Sequence, residues 1–434
     1  MTTEKKMEAH IAGNDLDVEI KRTRSDIVVY RPHFEGTDSG DNGNEHFLVF
    51  ESKRSSDLLA IWTQSTYEGS KDHRIMFARS KERGTTWQPP QKIVGPGKPG
   101  ECDMASWAFP IVAETGRIYC IYNQFRGITD RSPQLTGTMD IVYSDDDGES
   151  WSLPETIPMP RCSRDHQDPS YPSNWIVWQK PILDAKGRWI AGFTRWSSPT
   201  ESRKPPIPSW TNWDSACEVM RFENIHLGPE PRDIQISYPL LNKQLRVPAP
   251  LDELVSIAQE PSIVLLPDGR LFMTMRTFTG FIWYSVSDDD GDTWREPDVL
   301  RHTDDGEPLL QPLCCCPIYP LQDGRFLLLY HNNNGHFEGF LPQETLRNRR
   351  PAHLALGEFR PGARQPVWFS QPKFFMDSDG YPLGPLQRTE IGIYTSFTDL
   401  DGKKVLWHPD RKFFLLGKVV TDDWLSDLSV PENK

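Results

Sequence analysis

Four stretches of the chain follow one plan, and that plan restricts the fold more than any other feature. They are "FPIVAETGRIYCIYNQ" from Phe109, "KPILDAKGRWIAGFTRW" from Lys180, "EPSIVLLPDGRLFMTMRT" from Glu260 and "CPIYPLQDGRFLLLYHN" from Cys316. Each gives a proline, an apolar strand, a turn ending in Gly-Arg and a second, alternating apolar strand. "HFLVFESKRSSDLLAIWTQ" from His46 fits with one residue inserted and no proline, and "YTSFTDLDGKKVLWHP" from Tyr394 fits more loosely. Antiparallel units of this kind, repeated radially, make a β-propeller whose inner strands line a central channel. Six units are countable. A seventh has room after Lys180, where "CEVMRFENIHLGPEP" and "RDIQISYPLL" read as strands. The expected fold is all-β: a six- or seven-bladed β-propeller over residues 25–434, behind a flexible tail of residues 1–24. "DIVVYRP" at residues 26–32 is placed to close the ring against "KFFLLGKVV" in the last unit.

The stretch "SDDDGDTW" from Ser287 puts four acidic residues between a serine and a tryptophan, and "SDDDGESW" from Ser144 repeats it. A calcium loop needs ligands at fixed alternating positions and a distant bidentate glutamate, which this spacing lacks. A turn needs Asp and Gly for side-chain-to-backbone bonds and positive φ. The weaker copy "SKERGTTW" from Ser80 carries Lys and Arg, so the turn is the reading taken, and no metal or cofactor is expected.

Composition narrows the partners. The net charge of -13 argues against nucleic acid and anionic membranes while leaving room for a local arginine cluster. No apolar run is long enough to span a membrane, and the first residues show no signal-peptide pattern, so a cytoplasmic location is the default expectation. Seven cysteines, three of them adjacent at 314–316, suit neither a disulfide framework nor a zinc pair and read as reduced strand residues.

In a propeller the start of each inner strand and the end of the second strand face the channel mouth. The alignment therefore predicts a first ring of His46, Phe109, Lys180, Glu260, Cys316 and Tyr394. A second ring holds Thr63, Asn123 (with Gln124 beside it), Thr194, Arg276 and His331. Charged and imidazole groups are costly to desolvate unless paired or facing water, so these rings point to a functional mouth. Other readings stand beside this one: His46 as a strand cap, His73 as an ion pair with Asp72, and His331 as part of a polar loop. Trp107, Trp175 and Trp178 read equally as core anchors or sugar platforms.

The Ser-x-Asp-x-Gly-x-Thr/Ser-Trp turn with this strand plan resembles the Asp-box, or BNR-repeat, sialidase-like propellers, over roughly residues 26–420. "QEPSIVLLPDGRLFMTMR" is similar to the sialidase segment with the catalytic glutamate and second carboxylate-binding arginine, implying those roles for Glu260 and Arg276. "YRP" resembles the first-arginine motif, implying Arg31, and "RRPAHLAL" offers Arg349 or Arg350 as the third. "IYTSFTDLDGKK" resembles the nucleophile segment, implying Tyr394, and the acid would fall near Glu68 or Asp72.

A second branch of these propellers cleaves L-rhamnose linked to glucuronate, as α-L-rhamnosidases or as lyases, through a mouth histidine. "NEHFLVFES", "DHRIMFARS", "RRPAHLALGEFRPGARQPVWFS" and "HPDRKFFLLGK" resemble that branch. This implies His46 as acid or base, since a free imidazole titrates near pH 6.5, with Arg276 on the carboxylate. The expected function is cleavage of a terminal sugar from an acidic oligosaccharide or polysaccharide, first the rhamnosyl-glucuronate linkage. An exo-sialidase using Glu260 and Tyr394 is the alternative, and a non-catalytic glycan-binding propeller the third. Catalysis is assigned to His46, Glu260, Tyr394 and Arg276, and substrate binding to Arg31, His73, Trp107, Gln124, Lys180, His331 and Arg350.

Overall fold

The computed structural model describes residues 15–33, 40–96, 103–204 and 209–432. Its strands form six antiparallel sheets of four or five strands and one short ribbon, a six-bladed β-propeller. Blade I comprises Gly43–Glu51, Leu58–Ser65, Arg74–Ser80 and Gln91–Val94. Blade II runs from Ala105–Val112 to Glu155–Ile157, blade IV from Gln259–Leu265 to Asp298–Val299, and blade V from Ile318–Pro320 to Val367–Phe369. Blade VI holds Ser396–Leu400, Lys403–Asp410 and Phe414–Val420, and its outermost strand is Ile27–Tyr30 from the start of the chain. Ile27 pairs with Gly417 and Val28 with Leu416, so the ring closes as the sequence predicts.

Room for a seventh blade disappears in blade III. Its inner strand is broken into Asn174–Ile176 and Ile182–Leu183, both paired with Trp189–Trp196. The stretches read as extra strands supply its outer pair, Ser215–Phe222 and Ile236–Ser237, and the ribbon Pro248–Ala249 with Asp252–Ser256 fills the rest of the gap.

Apolar side chains meet between neighbouring blades rather than at one centre. Phe47, Val49 and Trp62 of blade I pack with Val405, Trp407 and Leu415 of blade VI. Polar bonds tie the same seams: Trp107 N–H donates to Thr63 Oγ1 (3.0 Å), Glu260 N–H to Thr194 Oγ1 (2.6 Å) and Val49 N–H to Ser396 Oγ (2.9 Å). Threonines of the predicted second ring are thus seam acceptors.

The acidic turns lie between third and fourth strands and bond internally. Asp289 accepts from Thr293 N (2.8 Å) and Thr293 Oγ1 (2.6 Å), and Ser287 Oγ accepts from Gly291 N (2.8 Å). Asp146 and Ser144 repeat this, and in blade I Ser80 Oγ accepts from Gly84 N. Gly148 sits at φ 86° with the Phe77 ring of blade I against the place a Cβ would take, so the glycine is required by backbone and seam alike.

Of the expected tail, residues 1–14 lie outside the described residues, and residues 15–24 are held. Arg411 Nη1 donates to Glu19 Oε2 at 2.6 Å and Nη2 to the Glu19 carbonyl, which fastens the short helix Leu16–Glu19 to blade VI. Among the described residues no helix is long and apolar enough to cross a membrane. Cys314, Cys315 and Cys316 are free, buried thiols where the chain enters blade V.

Candidate active site

One local distortion builds the mouth. In blades I, II and IV the pairing of inner and second strands slips at the same place: between Glu45 and Leu48, Ser106 and Phe109, and Gln259 and Ser262. The first residue inside each slip has positive φ: His46 at 60°, Trp107 at 58° and Glu260 at 47°, with Tyr394 at 54° where the chain enters blade VI. Non-glycine residues in this region cost about 1–3 kcal/mol each and persist where the surroundings enforce them. The slip corrects the predicted ring in blade II, where Trp107 rather than Phe109 occupies the position of Glu260.

Trp107, Glu260 and Tyr394 line a cavity of about 640 Å³ with Arg276, Arg349, Arg388 and Glu68. Tyr394 Oη donates to Glu260 Oε1 at 2.7 Å. Arg276 Nη1 reaches the same oxygen at 2.7 Å, while its Nε donates to Gln259 at 3.0 Å. Glu260 Oε2 is buried with no hydrogen-bond partner. Burial first, and the Glu260 carboxylate second, push the Tyr394 phenol well above its ordinary pKa. The phenol therefore stays protonated at rest and needs a base to become a nucleophile, and Glu260 is in contact to be that base.

Arg349 is only partly paired within the protein. Its side chain is 4% exposed and Nη1 donates to Glu390 Oε2 at 3.2 Å, yet Nε and Nη2 are buried without hydrogen-bond partners. These two N–H groups share one edge of the guanidinium, the edge that receives a carboxylate bidentately. Arg388 pairs with Glu390 and Glu68. Lys412 Nζ lies 2.7 Å from Glu68 Oε1 and 4.6 Å from the centre of the Tyr394 ring. Lys412 and Arg388 outweigh burial and hold Glu68 well below the usual carboxylate range. Trp210 covers two of the arginines, with its ring 5.8 Å from Arg276 Cζ and 5.9 Å from Arg349 Cζ. Trp196, Trp213, Leu135 and Ile176 form the apolar wall.

Residues 56–383 match the family model described as a BNR repeat-like domain. The chain belongs to that family. Among solved structures the BNR-repeat chain is similar to a Hadza microbial sialidase, at 16% identity and a TM-score of 0.58, over 88% of this chain and 66% of that one. It is also similar to the NanB sialidase from Streptococcus pneumoniae (12%, TM-score 0.60, 96% of this chain and 73% of that one). The intramolecular trans-sialidase from Ruminococcus gnavus is a third (15%, TM-score 0.56, 95% and 100%). The chain spans just under two thirds of the length of the Hadza protein and 58% of Trypanosoma rangeli sialidase. These likenesses establish a shared propeller fold. No curated protein matches the sequence.

Of the residues expected at the site of this BNR-repeat propeller, Glu260, Arg276, Tyr394 and Trp107 meet in the cavity, together with Arg349 and Glu68 of the two paired alternatives, and the others lie elsewhere. His46 is buried beneath it, edge-on to Trp107 (5.3 Å) and Tyr394 (6.3 Å). Burial lowers its pKa to about 3, so it is a neutral ring at physiological pH. Arg31 is a surface residue paired with Asp17 at 2.5 Å, because one residue past Tyr30 the chain has reached the outer edge of blade VI. His73 bonds Ser106 Oγ at 2.9 Å rather than Asp72, whose carboxylate caps Thr66. Gln124 donates to the carbonyls of Met104 and Phe125, and His331 Nε2 bonds the Ile391 carbonyl at 2.8 Å. Lys180 lies in the break of blade III, its ammonium on the carbonyls of Val49 (2.6 Å) and Phe397 (3.3 Å). There it lines a separate cavity of about 340 Å³ toward the other end of the channel. Arg350 turns away to Asp377 and Glu338, leaving Arg349 in the mouth. Sequence reading missed Arg388, Lys412, Trp210 and Trp213. The clusters "QRTE" ahead of Tyr394 and "SWTNW" at 209–213 were the available signals.

Proposed function

We propose that this chain is a glycoside hydrolase that removes a terminal sugar bearing a carboxylate, with Tyr394 as nucleophile and Glu260 as its base. The observation that carries the reading is the Tyr394–Glu260 pair, 2.7 Å apart, in a cavity lined by Arg276, Arg349 and Arg388, with Arg349 Nε and Nη2 unpartnered within the protein. A buried guanidinium with two unmet donors is costly alone and is satisfied by a planar anion. A sugar carboxylate seated there, with Arg276 and Arg388 beside it, presents its anomeric carbon to the phenol. Tyr394 Oη bonds that carbon as the glycosidic C–O bond breaks, the phenol proton passes to Glu260 and the departing oxygen takes up a proton from solvent. Water then opens the glycosyl–tyrosine and gives up one proton to solvent, and Tyr394 recovers its proton from Glu260, so two displacements retain the anomeric configuration.

The sialidase-like neighbours make a sialic acid the first substrate to test. A rhamnosyl-glucuronate linkage also carries a carboxylate, but the chemistry above gives no role to His46, on which that expectation was built. The test is an assay of purified protein on sialyl and rhamnosyl-glucuronate glycosides, with unsaturated uronate followed by ultraviolet absorbance. Turnover of a carboxylate-bearing glycoside that Tyr394→Phe abolishes supports the reading. Binding without turnover makes the protein a glycan-binding module, and release of unsaturated uronate makes it a lyase.

A further inference from the structure

Where the inner strand of blade III breaks, Lys180 reaches across the channel. Its ammonium donates to the carbonyls of Val49 in blade I (2.6 Å) and Phe397 in blade VI (3.3 Å), while the neighbouring Gln179 Oε1 accepts from Ile263 N of blade IV (3.1 Å). An ammonium carries three N–H groups, so one is left for the cavity of about 340 Å³ that Lys180 lines. Among the described residues no carboxylate comes within ion-pair distance of Lys180, and Glu51 acts on it only from further out. Burial lowers its pKa to about 8, so the charge is costly where it stands.

Asp399 brings the opposite charge to the same cavity. Its side chain is 6% exposed, Oδ2 accepts from Gln322 N (2.9 Å), and Oδ1 is buried without a hydrogen-bond partner within the protein, 3.9 Å from Lys404 Nζ. The hydroxyls of the wall are already engaged, Thr395 Oγ1 with Tyr319 Oη (2.6 Å) and Ser396 Oγ with Val49 N (2.9 Å). Ile263, Ile318, Leu321 and Phe397 make much of the remaining surface apolar. One ammonium and one carboxylate thus line a single apolar-walled space without pairing with each other.

We propose that this far end of the channel is a second binding site, which takes a free α-amino acid with an apolar side chain, its carboxylate on Lys180 and its ammonium on Asp399. The two charges call for a zwitterion: an anion alone leaves Asp399 Oδ1 without a donor, and a cation alone leaves Lys180 without a counter-charge. Their spacing selects the kind. Asp399 stands two residues past Phe397, on whose carbonyl Lys180 rests, and so about 7 Å further along the strand. The carboxylate and ammonium of an α-amino acid, with one hydrogen bond at each end, span about 8 Å. The apolar wall then receives the side chain, and the volume is at the small end of ligand pockets. The site stands whether or not the mouth cleaves a glycoside.

Isoleucine methyl NMR locates the ligand, because Ile182, Ile263 and Ile318 line this cavity and Ile176 lines the mouth. Leucine is titrated into the whole protein beside 4-methylpentanoate, which lacks the amine, and leucinamide, which lacks the carboxylate. Leucine should shift the Ile263 and Ile318 methyls at concentrations roughly 10-fold lower than either analogue, the worth of one charge-assisted hydrogen bond. Asp399→Asn keeps an oxygen for Gln322 N but loses the charge, and should bring leucine level with 4-methylpentanoate. No shift at these methyls, shifts confined to Ile176, or equal potency of leucine and either analogue overturns the site. If Asp399→Asn does not fold, the three ligands compared on wild type still decide. None of these readouts depends on turnover at the mouth.

Discussion

Arg349→Lys separates the unpartnered guanidinium edge from the charge that carries it. Lysine keeps the positive charge near Glu390 but has no planar fork, and Glu390 retains Arg388 as a partner. Arg349 Nε and Nη2 have no hydrogen-bond partner within the protein, so replacing them should cost less than about 1 kcal/mol of stability. With a carboxylate seated, the same change removes charge-assisted hydrogen bonds worth about 1.5–3 kcal/mol, roughly 10- to 150-fold in affinity. The assay is calorimetric titration with a free acidic monosaccharide and with its methyl ester. Wild type should bind the acid and discriminate strongly against the ester. Arg349→Lys should lose most of that discrimination while its thermal midpoint stays near that of wild type. An ester that binds wild type as tightly as the acid, or a variant that binds the acid unchanged, would refute the carboxylate seat.

Other consequences concern stability. Asp289→Ala removes the acceptor for Thr293 N and Oγ1 and should lower stability by about 1–2 kcal/mol in denaturant titration, while a chelator leaves the wild type unaffected. Burial lowers His46 and His331 to about 3 and His73 and His408 to about 4, and it also lowers His353. Their unfolded values near 6.5 are higher, so the unfolded chain binds more protons between. The stability they represent is fully present above about pH 6.5 and is lost as pH falls toward 4 and below, by up to about 1.4 kcal/mol per pH unit for each ring. The thermal midpoint should fall steeply over that window and less steeply in His331→Gln; a flat profile from pH 7 to 4.5 would contradict the burial of these rings.

The blades were legible because four of them carry a Gly-Arg hairpin and three carry a turn from Ser to Gly and Trp whose bonds demand fixed residue types. The blade count was not, since the broken inner strand of blade III and the ribbon at 248–256 follow no repeat. Glu260, Arg276 and Tyr394 were placed by register, and the structure brings them together. Arg388 and Lys412 enter from a loop and a turn, where register says nothing. Gln124 and His331 occupy strand ends as expected, but such positions must also satisfy nearby backbone carbonyls, and that demand took them, while His73 is held by Ser106 Oγ. Positive φ at His46, Trp107 and Glu260 leaves no mark in side-chain pattern, so the two-residue shift from Phe109 to Trp107 was invisible.

The central claim, that Tyr394 attacks the anomeric carbon of an acidic sugar, is tested most directly by trapping the adduct. The protein is incubated with a 2,3-difluoro derivative of the acidic sugar it cleaves, quenched, digested and analysed by peptide mass spectrometry. The account predicts a glycosyl mass on the peptide containing Tyr394, absent from Tyr394→Phe and suppressed in Glu260→Gln. Turnover of the parent glycoside with no adduct, or with the adduct on another residue, would contradict it.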